Sequence, residues 1–352
     1  MLTKNTYEAI DLFAPSVKPM QDNLQKLHNY FETIKPDYQI VSLKDTQKTV
    51  SYQSLSNEEF IDENLKKDIL LLTNYKEVQL KSGPYTFNLH IHYLRKDDLD
   101  LLIDTLGYAL SFTALLGPHK IKNITITYYL LDVKRVLDGD TFLDKEEVNG
   151  GACWFSSTDC EINVWRKEEI IKVSIHELIH GLSYDYKEDT SEIITHYQQK
   201  YGITSPKMNT FEAYTEIFAE LIHSYLLARF IHVLYPKVKC FHLFSTFVGI
   251  EIQFSHLQSS KVLRLLEQDK HVNKETNVTA YYLIKAELYN DLQNFLDFCM
   301  KHNEQFIKIT DTSKYLDYLK GLLKVNKKKY KLSSNYLRKT TRMTCLELDL
   351  FV

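Results

Sequence analysis

Glycine and proline are scarce in this chain, 10 and 7 residues of 352. So few breakers argue against long disordered linkers and favour helix. Cysteine is also sparse. Cys153, Cys160, Cys240, Cys299 and Cys345 include no CxxC pair, and an odd count builds no disulfide framework. Free thiols in a reducing compartment are the expectation, with Cys153 and Cys160 near enough across a turn to pair. Neither sign of charge dominates. Lys and Arg total 43 against 46 Asp and Glu, a net charge of −3 that gives no global pull towards nucleic acid or anionic membrane. The longest apolar run, "LLIDTLGYALSFTALLG", holds Asp104 and falls short of the ~18–20 residues that span a bilayer. The first twenty residues show no signal-peptide pattern. These absences predict a cytoplasmic protein with neither membrane nor nucleic acid as partner.

What is present is a soluble globular composition, 44% hydrophobic and 25% charged. Residues 1–80 read as a helical region, with amphipathic runs such as "MQDNLQKLHNYFETI" and "NEEFIDENLKKDILLLTNY". The period then changes. Tyr85, Phe87, Leu89, Ile91 and Tyr93 alternate with polar residues, which predicts a half-buried strand with His90 and His92 on its polar, solvated face. A helix from about Asp97 to residue 116 follows, then a second strand over 123–133, a polar loop, and two short strands in "ACWFSS" and "CEINVW". From Arg166 onwards helices dominate: 167–184, 188–201, 206–234, 237–268 with a break near Ser259-Ser260, 276–302 and 312–325. The tail from Lys324, with seven Lys and Arg between Lys327 and Arg342, reads as a solvated basic stretch.

Within the first of these helices lies "VSIHELIHGLSYDY", residues 173–186. Residues four apart share a helical face, so His176 and His180 can aim both imidazoles at one cation, and Glu177 flanks it. Zinc bound by two neutral imidazoles and a third protein ligand keeps an open position for water, on which Glu177 can act as general base. The helix is otherwise apolar almost all round, a poor host for His-Glu-His without a partner.

Glycine at 183 and histidine at 186 would make a metzincin; Ser183 and Tyr186 exclude that. Asp185 and Asp189 lie too near the helix end to be favoured as ligands. Downstream, "SPKMNTFEAYTEIFAELIHSYLLARF" begins with a helix-start signal at Ser205-Pro206, and Asn209 with Glu212 resembles a capping box. Glu212, Glu216 and His223 fall within about 40° on the helical wheel. Two assignments fit. Glu212 ligates and Glu216 orients a ligating histidine, or Glu216 ligates and Glu220 orients. The first is favoured because it puts the ligand near the helix start. Glu220 otherwise reads as a surface residue and His223 as a core histidine.

The string HELIH followed by "NTFEAYTE" resembles the gluzincin group of zinc metallopeptidases, in which a downstream helical glutamate is the third ligand. HELIH itself is similar to that of clostridial neurotoxin light chains, and "TEIFAELIHSY" to the corresponding helix of lethal-factor-type peptidases. The run "VNGGACW…INVWRKEEIIKVSIHELIH" resembles metallopeptidases of large DNA viruses, which would place the protein in host cytoplasm or virion. The resemblance covers residues 148–230. It implies that "GACWFS" is a sheet edge lying antiparallel to an extended substrate. It also implies an electrophilic helper for the oxyanion, with His223 and Tyr214 the first candidates and Tyr184 and Tyr225 behind them. Phe211 stands where a thermolysin-like pattern would carry asparagine.

The expectation is therefore an α+β, zincin-like fold: a small mixed sheet, an HExxH helix and a mainly helical C-terminal half. It divides into residues 1–80, a catalytic core over 81–234, and 235–352 with the basic tail. The expected function is zinc-dependent hydrolysis of peptide or protein substrates. The alternative is a catalytically silent binding or structural protein on the same scaffold, such as a virion or host-interaction component.

Overall fold

The computed structural model describes residues 1–351 apart from 19, 21, 56–57, 95–97, 138–142, 269–271 and 273–275. The expected helix start at Asp97 and part of the polar loop thus lie outside the described residues.

The fold is α+β, with a six-stranded mixed sheet. In chain order its strands are β1 (Gln39–Gln47), β2 (Asn74–Ser82), β3 (Tyr85–Tyr93), β4 (Asn123–Tyr129), β5 (Gly151–Phe155) and β6 (Asp159–Val164), and in space they run β1-β2-β3-β4-β6-β5. The first three strands form an antiparallel meander, turned between β2 and β3 at Gly83 with φ +54°, a conformation that suits glycine. The Asp100–Ala114 helix crosses from β3 to β4, which lie parallel, and β6 is parallel to β4. β5 folds back antiparallel on β6 and ends the sheet.

Alternation drives the central strands. Phe87, Leu89 and Ile91 of β3 and Ile124, Ile126 and Tyr128 of β4 are fully buried in the main core. That core draws residues from Ala9 to Leu350. The other sheet face carries a smaller cluster, in which Leu65 and Ile69 of the Glu63–Ile69 helix meet Tyr129, Ala152 and Trp165.

Several elements differ from their sequence reading. Residues 1–80 are not all helix, since they supply β1 and β2. β1 is exposed along nearly its whole length, so neither face shows the alternation that marks a strand. The Cys240–Gln268 helix is unbroken, because Ser259 and Ser260 return their hydroxyls to the His256 carbonyl at 3.1 and 2.7 Å. The 276–302 segment instead holds a π-helical turn, Thr279–Ile284, and a break at Asp291. The end of the tail is not solvated. Arg342 is fully buried, its guanidinium 2.9 Å from Glu347, and Thr340, Thr344 and Cys345 are buried with it.

Among the described residues one helix, Phe211–Leu234, has the length and apolarity to cross a membrane, and most of it is packed inside the protein.

Candidate metal centre

The Ile170–Gly181 helix is buried along its whole length. Its start is clamped at Glu169, which adopts φ +59°. The Glu169 carboxylate accepts from the backbone of Met343 and Thr344 at 3.1 and 2.8 Å and from Arg135 at 2.7 Å. Its own N–H donates to Glu347 at 2.6 Å. At the other end a Cβ on Gly181 would lie 2.2 Å from Cys160 Sγ, so only glycine lets the helix rest this closely on β6. Both ends are thereby fixed against the sheet and the C-terminal segment.

On this fixed helix, His176 Nε2 and His180 Nε2 lie 3.1 Å apart, and each is 3.2 Å from Glu212 Oε2. Glu212 stands in the first turn of the Phe211–Leu234 helix. The expected capping box is absent there. Thr210 is the N-cap residue, and Asp189 holds it through Thr210 N at 3.0 Å and Oγ1 at 2.6 Å. Zinc bonds of about 2.0–2.1 Å arranged tetrahedrally set donor atoms roughly 3.3 Å apart. Two imidazoles and a carboxylate at the observed spacing fit that ion.

Each imidazole has a further carboxylate on its far nitrogen. Glu216 Oε2 lies 2.8 Å from His176 Nδ1, and Asp185 Oδ2 lies 2.7 Å from His180 Nδ1. Glu216 is held in turn by Lys172 at 2.8 Å. Burial works to lower the His180 pKa, but Glu212 and Asp185 outweigh it and carry it up to about 10. Burial would raise Glu212, yet the two imidazoles hold it far below the carboxylate range. The carboxylates around the two imidazoles thus favour positive charge at this point.

The site opens into a cleft of about 430 Å³, and Glu177 lines it. Burial raises the Glu177 pKa, against the pull of the two histidines. One wall is β5, from Gly151 to Phe155, at the free edge of the sheet. A Cβ on Gly151 would lie 2.7 Å from Glu177 Cγ and Oε1. The lining also includes Tyr281 from the π-helical turn, its ring 6.0 Å from that of His176. Burial, then Glu212 and Glu177, push its hydroxyl well above the usual range, so it is a neutral donor. Asn209, at φ +49° just before the Glu212 helix, donates to Asn277 at 2.6 Å and so ties the start of that helix to the segment that carries Tyr281.

The expected site residues divide. His176, Glu177, His180, Glu212 and Glu216 come together. His223 is buried away from the cleft lining, and burial lowers its pKa to about 3. Tyr214 donates to the Ile307 carbonyl and accepts from Asn303 at 2.8 Å, a core role. Tyr184 bonds Gly117, and Tyr225 bonds Glu32. None of these four lines the cleft. Glu220 is not a surface residue: it is buried against Lys285, with Tyr289 donating at 2.6 Å. His90 and His92 do not lie on a solvated face. His92 is buried and His90 Nδ1 lies 2.5 Å from the Tyr75 hydroxyl. Asp185, set aside as a ligand in the sequence, takes the place behind His180, and Tyr281 carries no sequence signal. Comparison with protein families, curated proteins and solved structures finds no match.

Proposed function

We propose that this chain is a zinc-dependent peptidase of the zincin type, related to the gluzincins and acting in the cytoplasm on peptide or protein substrates. The observation that carries the reading is the convergence of His176 Nε2, His180 Nε2 and Glu212 Oε2 within 3.2 Å of one another at the floor of a cleft walled by a free sheet edge.

His176, His180 and Glu212 would hold the zinc, with Glu216 and Asp185 fixing the two imidazoles. Bound there, zinc supplies Lewis acidity that acidifies water and polarises a carbonyl. Glu177 takes the proton of the attacking water on a carboxylate oxygen and passes it to the departing amine. Its burial and raised pKa suit a group that must hold a proton between the two steps. The substrate backbone pairs with the outer edge of β5, which draws the peptide out in extended form along the cleft. Gly151 leaves the carboxylate room beside that backbone. Tyr281, a neutral hydroxyl in the cleft, donates to the carbonyl oxygen as it gains negative charge.

A silent scaffold would have no need of Glu177 beside the ligands or of the glycine that makes room for it. The test is cleavage of a denatured-protein peptide library, read by mass spectrometry, with zinc-loaded and chelator-stripped protein. New termini that appear only with zinc support the reading. A library left intact by zinc-loaded protein supports the scaffold.

A further inference from the structure

A second cluster with metal-ligating chemistry lies away from the cleft. His28 and Glu32 stand one turn apart on the Asn23–Thr33 helix, and Cys240 opens the Cys240–Gln268 helix. A ring nitrogen, a carboxylate oxygen and the thiol sulfur lie within 4.8 Å of one another.

His28 is only 7% exposed, and neither ring nitrogen has a hydrogen-bond partner of good geometry. Asn29, next along the same helix, interacts with the ring and, with Glu32, favours its charged form. The rings of Tyr225, Phe241 and Phe244 surround the imidazole, with centroids 5.4–5.9 Å away. Burying an imidazole with both nitrogens unpaired is costly and calls for a partner. The nearest charged group is Glu32, whose Oε1 lies 3.8 Å from His28 Nε2, beyond hydrogen-bond reach but about half an ångström from the spacing of two zinc ligands. Glu32 is itself positioned by Tyr225, which donates to it at 2.7 Å, and by Arg229 at 3.3 Å.

We propose that His28, Glu32 and Cys240 form a second, structural site for a zinc-class ion, which staples the Asn23–Thr33 helix to the start of the Cys240–Gln268 helix. A thiolate, an imidazole and a carboxylate are a donor set that zinc accepts, and two anionic ligands balance its charge. Binding displaces the Cys240 proton. The site needs nothing from the cleft.

Cobalt(II) separates the two centres by spectroscopy. His176, His180 and Glu212 include no sulfur and Cys153 lines the same cleft, whereas the staple uses Cys240, so the staple's thiolate-to-cobalt charge-transfer band is the one that Cys240→Ser removes. The full chain, stripped and reloaded with cobalt, should take up two ions and show the band. Cys240→Ser and Glu32→Gln, both close in shape to the native residues, should each lose one ion and the band. His176→Ala should lose the other ion and keep it. A wild-type protein without the band, or a band that survives in Cys240→Ser, overturns the proposal. A wild-type protein that shows the band but takes up one cobalt leaves the staple standing and removes the metal from the proposed peptidase.

Discussion

Glu216 Oε2 meets His176 Nδ1 at 2.8 Å, on the side of the imidazole turned away from Glu212. The two glutamates that compete for the third ligand position in the sequence thus occupy opposite sides of one ring. Glu212→Ala is expected to abolish tight zinc binding. Glu216→Gln and Asp185→Asn are expected to weaken it by about 10–100-fold, the usual effect of losing a carboxylate behind a ligating histidine. Competition with a chromophoric chelator measures all three. Loss of metal in Glu216→Gln with retention in Glu212→Ala would reverse the assignment.

Gly151 tests the contact between the edge strand and the general base. Its missing side chain leaves space that Glu177 and Val173 fill, with Val173 Cγ1 only 2.8 Å from the position of a Cβ. Gly151→Ala should displace Glu177 and lower kcat by about 10²-fold or more, the scale of losing a well-placed base. Zinc content should not change. Unaltered kcat would show that the carboxylate has freedom to move.

Tyr281→Phe removes one hydroxyl and keeps the ring beside His176. If that hydroxyl stabilises the oxyanion, kcat falls by about 10²–10³-fold with KM little changed. A rise in KM alone would make Tyr281 a substrate-binding residue.

His223, in the core, gives a prediction of acid stability. Burial lowers its pKa to about 3 from an ordinary 6.5. Between those values the unfolded chain binds the proton and the folded chain does not. Its contribution is therefore complete above about pH 6.5 and is lost as the pH falls, at up to about 1.4 kcal/mol per pH unit. Buried carboxylates titrate over the same range, so the measurement is a difference. Denaturant unfolding of wild type and His223→Gln at pH 7, 6 and 5 should show the wild type losing its margin over the variant as pH falls. A constant margin would mean that His223 has the same pKa in the folded and the unfolded chain.

Periodicity made part of this molecule legible. HELIH and the acidic stripe of "FEAYTEIFAE" follow helical spacing, and β3 and β4 alternate because each buries side chains on the main core. Residues placed by a turn off the helix or by distant chain were not legible. Asp185 reaches His180 because Ser183, at φ +54°, turns the chain back after the helix. Tyr281 arrives from a π-helical turn a hundred residues downstream. In the tail, composition cannot distinguish a solvated charge from a matched one, and Arg342 is buried because Glu347 and Glu169 meet it there.

The most direct test of the central claim is the rate at which zinc-loaded Glu177→Gln cleaves a peptide that the wild type cleaves. Glutamine keeps the shape and leaves the three metal ligands in place but cannot accept the proton. Both proteins are expected to hold a full complement of zinc, with kcat lower by about 10²–10⁴-fold in the variant. Equal rates at equal zinc content would contradict that claim.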